Sequence, residues 1–202
     1  MTFDPKLMEY EQANFDGDDF SDLTLDGYRF TGCSFKGAKF STVETHACTF
    51  VDCNFEYAHL NGSLHRASAF ISCRFGGASL FGAEMIGCKG TASSFIKANT
   101  AGWVIRGGNF SYALLSGAKF KKDDLSEMNF SHADMQDCDL SFANLSGCDL
   151  SYAMLQGASL IGADLRGADI TGSDLGQCRM KGTKIDLQQA VLLAQRMGAS
   201  VE

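Results

Sequence analysis

The side chains best suited to chemistry in this chain of 202 residues are eight cysteines and four histidines. The cysteines stand at positions 33, 48, 53, 73, 88, 138, 148 and 178, and every interval between them is a multiple of five. A zinc site needs thiolates that converge as a tetrahedron, which a straight ladder of thiols does not supply. A disulfide between rungs of such a ladder would have parallel Cβ vectors and poor geometry. The cysteines therefore read as small buried hydrophobes and free thiols. Of His46, His59, His65 and His132, only His65 falls among the large inward residues described next. No G-x-S-x-G nucleophile elbow is present. The glycines lack the strand–helix context of a phosphate-binding loop. No catalytic, cofactor-binding or metal site is expected, and the chain reads as a non-enzyme.

The element that holds these residues is a repeat. From Phe15 to Ile185, every fifth residue is Phe, Leu, Ile or Met, except Thr45, His65, Gly90 and Thr100. Two positions earlier runs a second series of small residues, among them Ala13, Cys33, Ala38, Cys53, Ala58, Ala113, Ala143 and Ala163. A period of five fits neither the 3.6 of a helix nor the 2 of a strand. It fits a chain that turns a corner every five residues, with one large and one small side chain inward from each side. Four sides make a square coil of 20 residues, and the repeat then gives just under nine coils. Stacked at the sheet spacing, they form a rod about 42 Å long that needs a cap at each end. His65 should lie over Thr45, one coil below. Gly90, Thr100, Trp103 and Gly108 break the pattern together, which predicts either a bulge or a partner site. Residues 1–12 are a lead-in, 13–185 the repeat body, and 186–202 a helix and tail.

Physical signals support that helix. Asp186 can N-cap it with Gln189 as capping-box partner, and Gly198 suits the position after its end. Leu187, Ala190, Val191, Ala194 and Met197 form an apolar stripe with Leu192 and Leu193 beside it. The stripe serves either as a lid on the last coil or as a wider contact surface.

Charge is segregated along the rod. Residues 1–60 carry 11 acids and 4 bases, 61–120 carry 1 and 6, and 121–202 carry 12 and 7, for a net of −7. This balance disfavours a nucleic-acid binder and allows a basic partner. In the last section Asp134, Asp139, Asp149, Asp164, Asp169 and Asp174 share one outward position of the pentad. Outward charge also serves solubility. The N-terminus has no signal-peptide pattern and no stretch reaches 18 apolar residues, so a soluble cytoplasmic protein is expected.

The tandem motif A-(D/N)-L-x-x stands openly at Ala133-Asp134-Met135, Ala143-Asn144-Leu145, Ala163-Asp164-Leu165 and Ala168-Asp169-Ile170. On these residues the chain resembles the pentapeptide-repeat family over residues 13–185. The resemblance implies an all-β fold, a right-handed quadrilateral β-helix with a C-terminal capping helix. Lys184-Ile185-Asp186-Leu187-Gln188-Gln189-Ala190, with the residues to Gly198, is similar to the C-terminal segment of that family's quinolone-resistance group, Qnr and MfpA. Without loops between coils, the chain resembles the uninterrupted MfpA type. That likeness implies a protein partner, DNA gyrase or topoisomerase IV, protected from quinolones or a topoisomerase-directed toxin by partial DNA mimicry. It also implies an end-to-end homodimer through Leu187, Ala190, Val191, Leu193, Ala194 and Met197, with the six aspartates as the partner surface. A scaffold for an unrelated protein is the alternative.

Overall fold

The computed structural model describes residues 3–201; Met1, Thr2 and Glu202, at the ends of the expected lead-in and tail, lie outside the described residues. The three-residue strands are β1 (Glu9–Glu11), β2 (Thr24–Asp26), β3 (Arg29–Thr31), β4 (Glu44–His46), β5 (Thr49–Val51), β6 (Leu64–Arg66), β7 (Ala69–Ile71), β8 (Glu84–Ile86) and β9 (Val104–Arg106). They form two parallel sheets, ordered β1-β3-β5-β7 and β2-β4-β6-β8-β9. Partners are offset by one coil of 20 residues, as in Phe30↔Phe50 and Met85↔Ile105. The result is a β-solenoid. Regular strands stack through about five turns, fewer than the just under nine coils expected; beyond them isolated bridges keep the same offset as far as Asp164↔Lys184.

Two kinds of corner explain the difference. At most corners the N–H three residues after the large residue returns to its carbonyl, as in Ala38 to Phe35 at 3.0 Å and Ala133 to Phe130 at 3.0 Å. The residue two after the large one has positive φ, 66° at Gly37 and 57° at His132. A positive φ at the third residue of a closed turn is type II geometry. These tight corners leave only one residue per side free to bridge. The corners that follow the three-residue strands instead lack the closing bond, and the chain stays extended through the residue after the large one. Thr31, Val51, Ile71 and Ile86 occupy that position at four of them, and β-branched side chains favour extended backbone. From Phe110 onward the corners close in the tight manner.

The core is two stacks of different material. Towards the N-terminus it is phenylalanine: Phe15, Phe35, Phe55, Phe75 and Phe95 stack at 4.7–5.2 Å, and Phe30, Phe50 and Phe70 at 4.8–5.0 Å. Rings from adjacent sides meet edge to face, as Phe35 and Phe40 do at 5.4 Å, the arrangement the ring quadrupole prefers. Towards the C-terminus leucine takes over, with Leu140, Leu145, Leu150, Leu155, Leu160 and Leu165 fully buried. Phe3 closes the N-terminal end by packing on Tyr10, Phe15, Phe20 and Tyr28.

The expected fault lies where the corner type changes. Trp103 occupies a small inward position yet is only 1% exposed. Room comes from the large column: Gly90 and Thr100 leave volume there, Phe110 fills the space over Gly90, and the indole packs 4.8 Å from Phe95 and 5.8 Å from Phe120. The exchange is not perfect, since the buried indole N–H of Trp103 lacks a partner, a standing cost of about 1–3 kcal/mol. Buried this way, Trp103 serves packing and presents nothing to a partner.

Candidate functional site

For description, the four sides are numbered by the large residue at their centre, starting from Phe15, Phe20, Leu25 and Phe30. The structure distributes the six aspartates over all of them. Asp149 and Asp169 bridge in register on side four. Asp134 and Asp174 share side one with Met154 between them, Asp139 is on side two and Asp164 on side three. All six share a structural duty: each carboxylate accepts the N–H two residues on, at 2.8–3.2 Å, tying its corner. This is the Asx turn. Asn99, Asn109, Asn129 and Asn144 do the same, so the fold requires the amide or acid oxygen and not the charge.

The charges differ in availability. Asp164 accepts from the Arg166 guanidinium at 2.6 Å and lies 3.7 Å from Lys184. The Arg166 hydrogen bond lowers its pKa to about 2. Asp139 is held below the carboxylate range by the Ser141 hydroxyl, with Lys121 and Arg179 adding to it. Among the described residues, Asp134, Asp149, Asp169 and Asp174 enter no ion pair.

The thiols are spent internally. Each of the eight cysteines donates from Sγ to the carbonyl 23 residues earlier, from Cys33 to Tyr10 at 3.5 Å through Cys148 to Leu125 at 2.8 Å. Ser93 and Thr183 use their hydroxyls in the same way. Burial pushes Cys138 and Cys148 up to about 12, so neither offers a thiolate at neutral pH. His65 stands over Thr45 and is fully buried. Ser63 donates to the Leu60 carbonyl at 2.8 Å, so it accepts from Nε2–H of His65 at 2.9 Å; Nδ1 then accepts from the Thr45 hydroxyl at 2.8 Å. The ring is thus satisfied as the neutral Nε2–H tautomer.

At the C-terminus, α1 (Leu187–Arg196) begins at Asp186 with a complete capping box. Asp186 also accepts the Gly167 N–H at 2.9 Å. Gln189, buried, donates to the carbonyls of Leu165 at 2.6 Å and Ala168 at 2.8 Å. Gly198, at φ 88°, and Ala199 return to Gln195 and Ala194 and close the helix in a Schellman arrangement. The helix does act as a lid: Leu193 packs on the core, and Ala190, Val191 and Ala194 are half-buried. Leu187 and Met197 stay 80% and 87% exposed. A crevice of about 370 Å³ beside the helix is lined by Leu175, Met180, Leu193 and Met197.

The model of the family of pentapeptide repeats matches residues 109–147 and 143–182. Over residues 109–182 the chain is built of pentapeptide repeats. No curated protein sequence matches it. Among solved structures, full-length QnrB1, a plasmid-mediated fluoroquinolone resistance protein, is 22% identical with a TM-score of 0.54, over 95% of this chain and 97% of that one. A trypsin-treated QnrB1 is 26% identical with a TM-score of 0.48, over 96% and 88%. HetL, from the cyanobacterium Nostoc, is 24% identical with a TM-score of 0.38, over 87% and 86%.

The match begins at residue 109, just past the last open corner. Asn or Asp stands before the large residue at many closed corners, although Ser34, Lys39, His59 and Arg74 hold that place at others. The open corners of β1 to β9 carry Glu, Thr, Arg, Leu, Ala or Val there instead, a signal that spacing alone did not reveal. A second feature absent from the sequence reading is an exposed ring stack, Tyr112, His132 and Tyr152, with centroids 4.7 and 5.0 Å apart. Among the described residues, no helix is long and apolar enough to cross a membrane.

Proposed function

We propose that this chain is a binding protein that docks its acidic C-terminal section on the DNA-binding surface of a type II topoisomerase, DNA gyrase or topoisomerase IV. It thereby protects the enzyme from quinolones or from a topoisomerase-directed toxin. The observation that carries this reading is the in-register pair Asp149 and Asp169, carboxylates stacked one coil apart with no base beside them. They resemble successive phosphates in carrying fixed negative charge on a regular, rigid lattice. The mimicry is local. Duplex DNA carries about one charge per 1.7 Å, whereas here the acids are interrupted by bases on sides two and three. The likeness of the C-terminal segment to the quinolone-resistance group and the QnrB1-like fold support the choice of partner. In this reading α1 joins two chains end to end, through Leu187 and Met197 beside the crevice at Leu193.

The basic stretch of residues 61–120 favours a second reading, a scaffold for an unrelated partner. A supercoiling assay with and without a quinolone separates the two. Wild-type protein should inhibit supercoiling at micromolar concentration or preserve it against the drug. Asp149→Asn with Asp169→Asn should weaken the effect about tenfold, with a shallower salt dependence. Asparagine holds the same corner, so folding should be unchanged. Wild-type protein that neither inhibits nor protects would leave the scaffold reading in place.

A further inference from the structure

The corner between sides four and one carries an aromatic ladder that the fold does not require. Tyr112, His132 and Tyr152 occupy the left-handed corner position on three successive coils, with φ between 57° and 60°. Glycine, free of the Cβ penalty there, fills the equivalent position at Gly147, Gly157, Gly162 and Gly167. The ring planes lie within 7° of parallel, and the two tyrosines are 55% and 56% exposed. Beyond Tyr152 the ladder ends on Gly172, where any Cβ would collide with the ring. At the other end Ala92 holds the preceding rung, so the outer face of Tyr112 has only a methyl group opposite it.

The chain shows what such a face attracts. At another corner the Lys36 ammonium lies 5.7 Å from the centroid of the exposed Tyr57 ring. The residue equivalent to Lys36 at the ladder is Thr91, which supplies no cation to Tyr112. Flanking the ladder are Asp149 and Asp169 on side four and Asp134 and Asp174 on side one, none of which enters an ion pair. A guanidinium stacks on an aromatic face and pairs with a carboxylate in a bidentate fork, which an ammonium cannot do. Rings already held in a stack lose little rotamer entropy on binding. Nucleic acid also stacks on tyrosines, but these carboxylates repel its phosphates, and a second copy would bring the same acids face to face.

We propose that this edge is a docking strip for an arginine-bearing basic segment of a partner protein. The inference deepens the proposed function and rests on it for the basic character of the partner. Octa-arginine, octa-lysine and purified DNA gyrase, each titrated at low salt, test it. The ladder variant is Tyr112→Gly, His132→Gly and Tyr152→Gly. The control is Tyr57→Gly with Phe142→Gly, which removes exposed rings from the same backbone position at other corners. Glycine is native to that position, and circular dichroism verifies the fold. Octa-arginine should bind wild type and control alike and the ladder variant about tenfold more weakly, with less discrimination for octa-lysine. Octa-arginine that fails to bind wild type, binds the ladder variant equally, or is weakened as much in the control overturns the proposal. Gyrase bound equally by wild type and ladder variant removes the strip and leaves the topoisomerase reading. Loss of octa-arginine in the ladder variant with no gyrase binding at all keeps the strip and removes that reading.

Discussion

His65 shows how a polar residue can sit in an apolar column without serving chemistry. Its two nitrogens are matched by Thr45 and Ser63, and burial lowers its pKa from the ordinary 6.5 to about 3. The folded chain therefore keeps the ring neutral while the unfolded chain protonates it. Its contribution is fully present above pH 6.5 and is lost as pH falls from 6.5 towards about 3, at up to about 1.4 kcal/mol per pH unit. In urea unfolding across this range, His65→Leu should flatten the acid slope by about one proton, since leucine fills the equivalent places at Leu125 and Leu145. An unchanged slope would mean that the ring is protonated in the folded state. The position of His65 over Thr45 was legible from spacing alone. Ser63, and Ser68, whose hydroxyl meets that of Thr45 at 2.9 Å, were not: serine in the small series looks like any other small residue until its neighbour is known.

Among the elements, the corners were half legible. The period of five required a turn on each side but did not say which kind. Asx bonding ties many closed corners and β-branching accompanies four of the open ones, yet Phe35 and Phe40 close with neither beside them. The helix was legible to its caps, because Asp186, Gln189 and Gly198 carry local chemistry. What sequence could not give was the second role of Gln189. It does not only box the helix start; it anchors α1 to the last coil through two buried carbonyls. A ten-residue helix is marginal alone, so losing that anchor should release it. Gln189→Ala should cost about 1–3 kcal/mol locally by leaving the carbonyl of Ala168 unpaired; that of Leu165 keeps the Ala168 N–H at 2.9 Å. Hydrogen exchange should then show α1 deprotected while the coils around Leu145 stay protected. Equal protection of α1 in both proteins would place the anchor elsewhere. The segment that carried the resemblance to the quinolone-resistance group thus has a structural task of its own.

At the scale of the molecule, the solenoid and its inward columns were readable from the sequence, because a fixed period leaves one way to bury both series. The surface was less readable. The six aspartates share a pentad position, yet a square coil sends them to four sides, and only spatial register separates Asp149 and Asp169 from the base-paired Asp164. In the proposed end-to-end dimer, a second copy would cover Leu187 and Met197, the exposed apolar residues at the two ends of α1. Removing residues 187–202 should turn a dimer into a monomer in sedimentation velocity at micromolar concentration. A full-length chain already monomeric there would refute the dimer. Two rods end to end would span about 85–95 Å, the length of about 25–28 base pairs. Direct competition is the sharpest test of whether that length occupies the place of DNA. A duplex of about 28 base pairs titrated into a preformed complex of the chain with gyrase should displace the chain, with its apparent affinity falling in proportion to free duplex. A ternary complex in which gyrase holds duplex and chain together at undiminished affinity would contradict DNA mimicry.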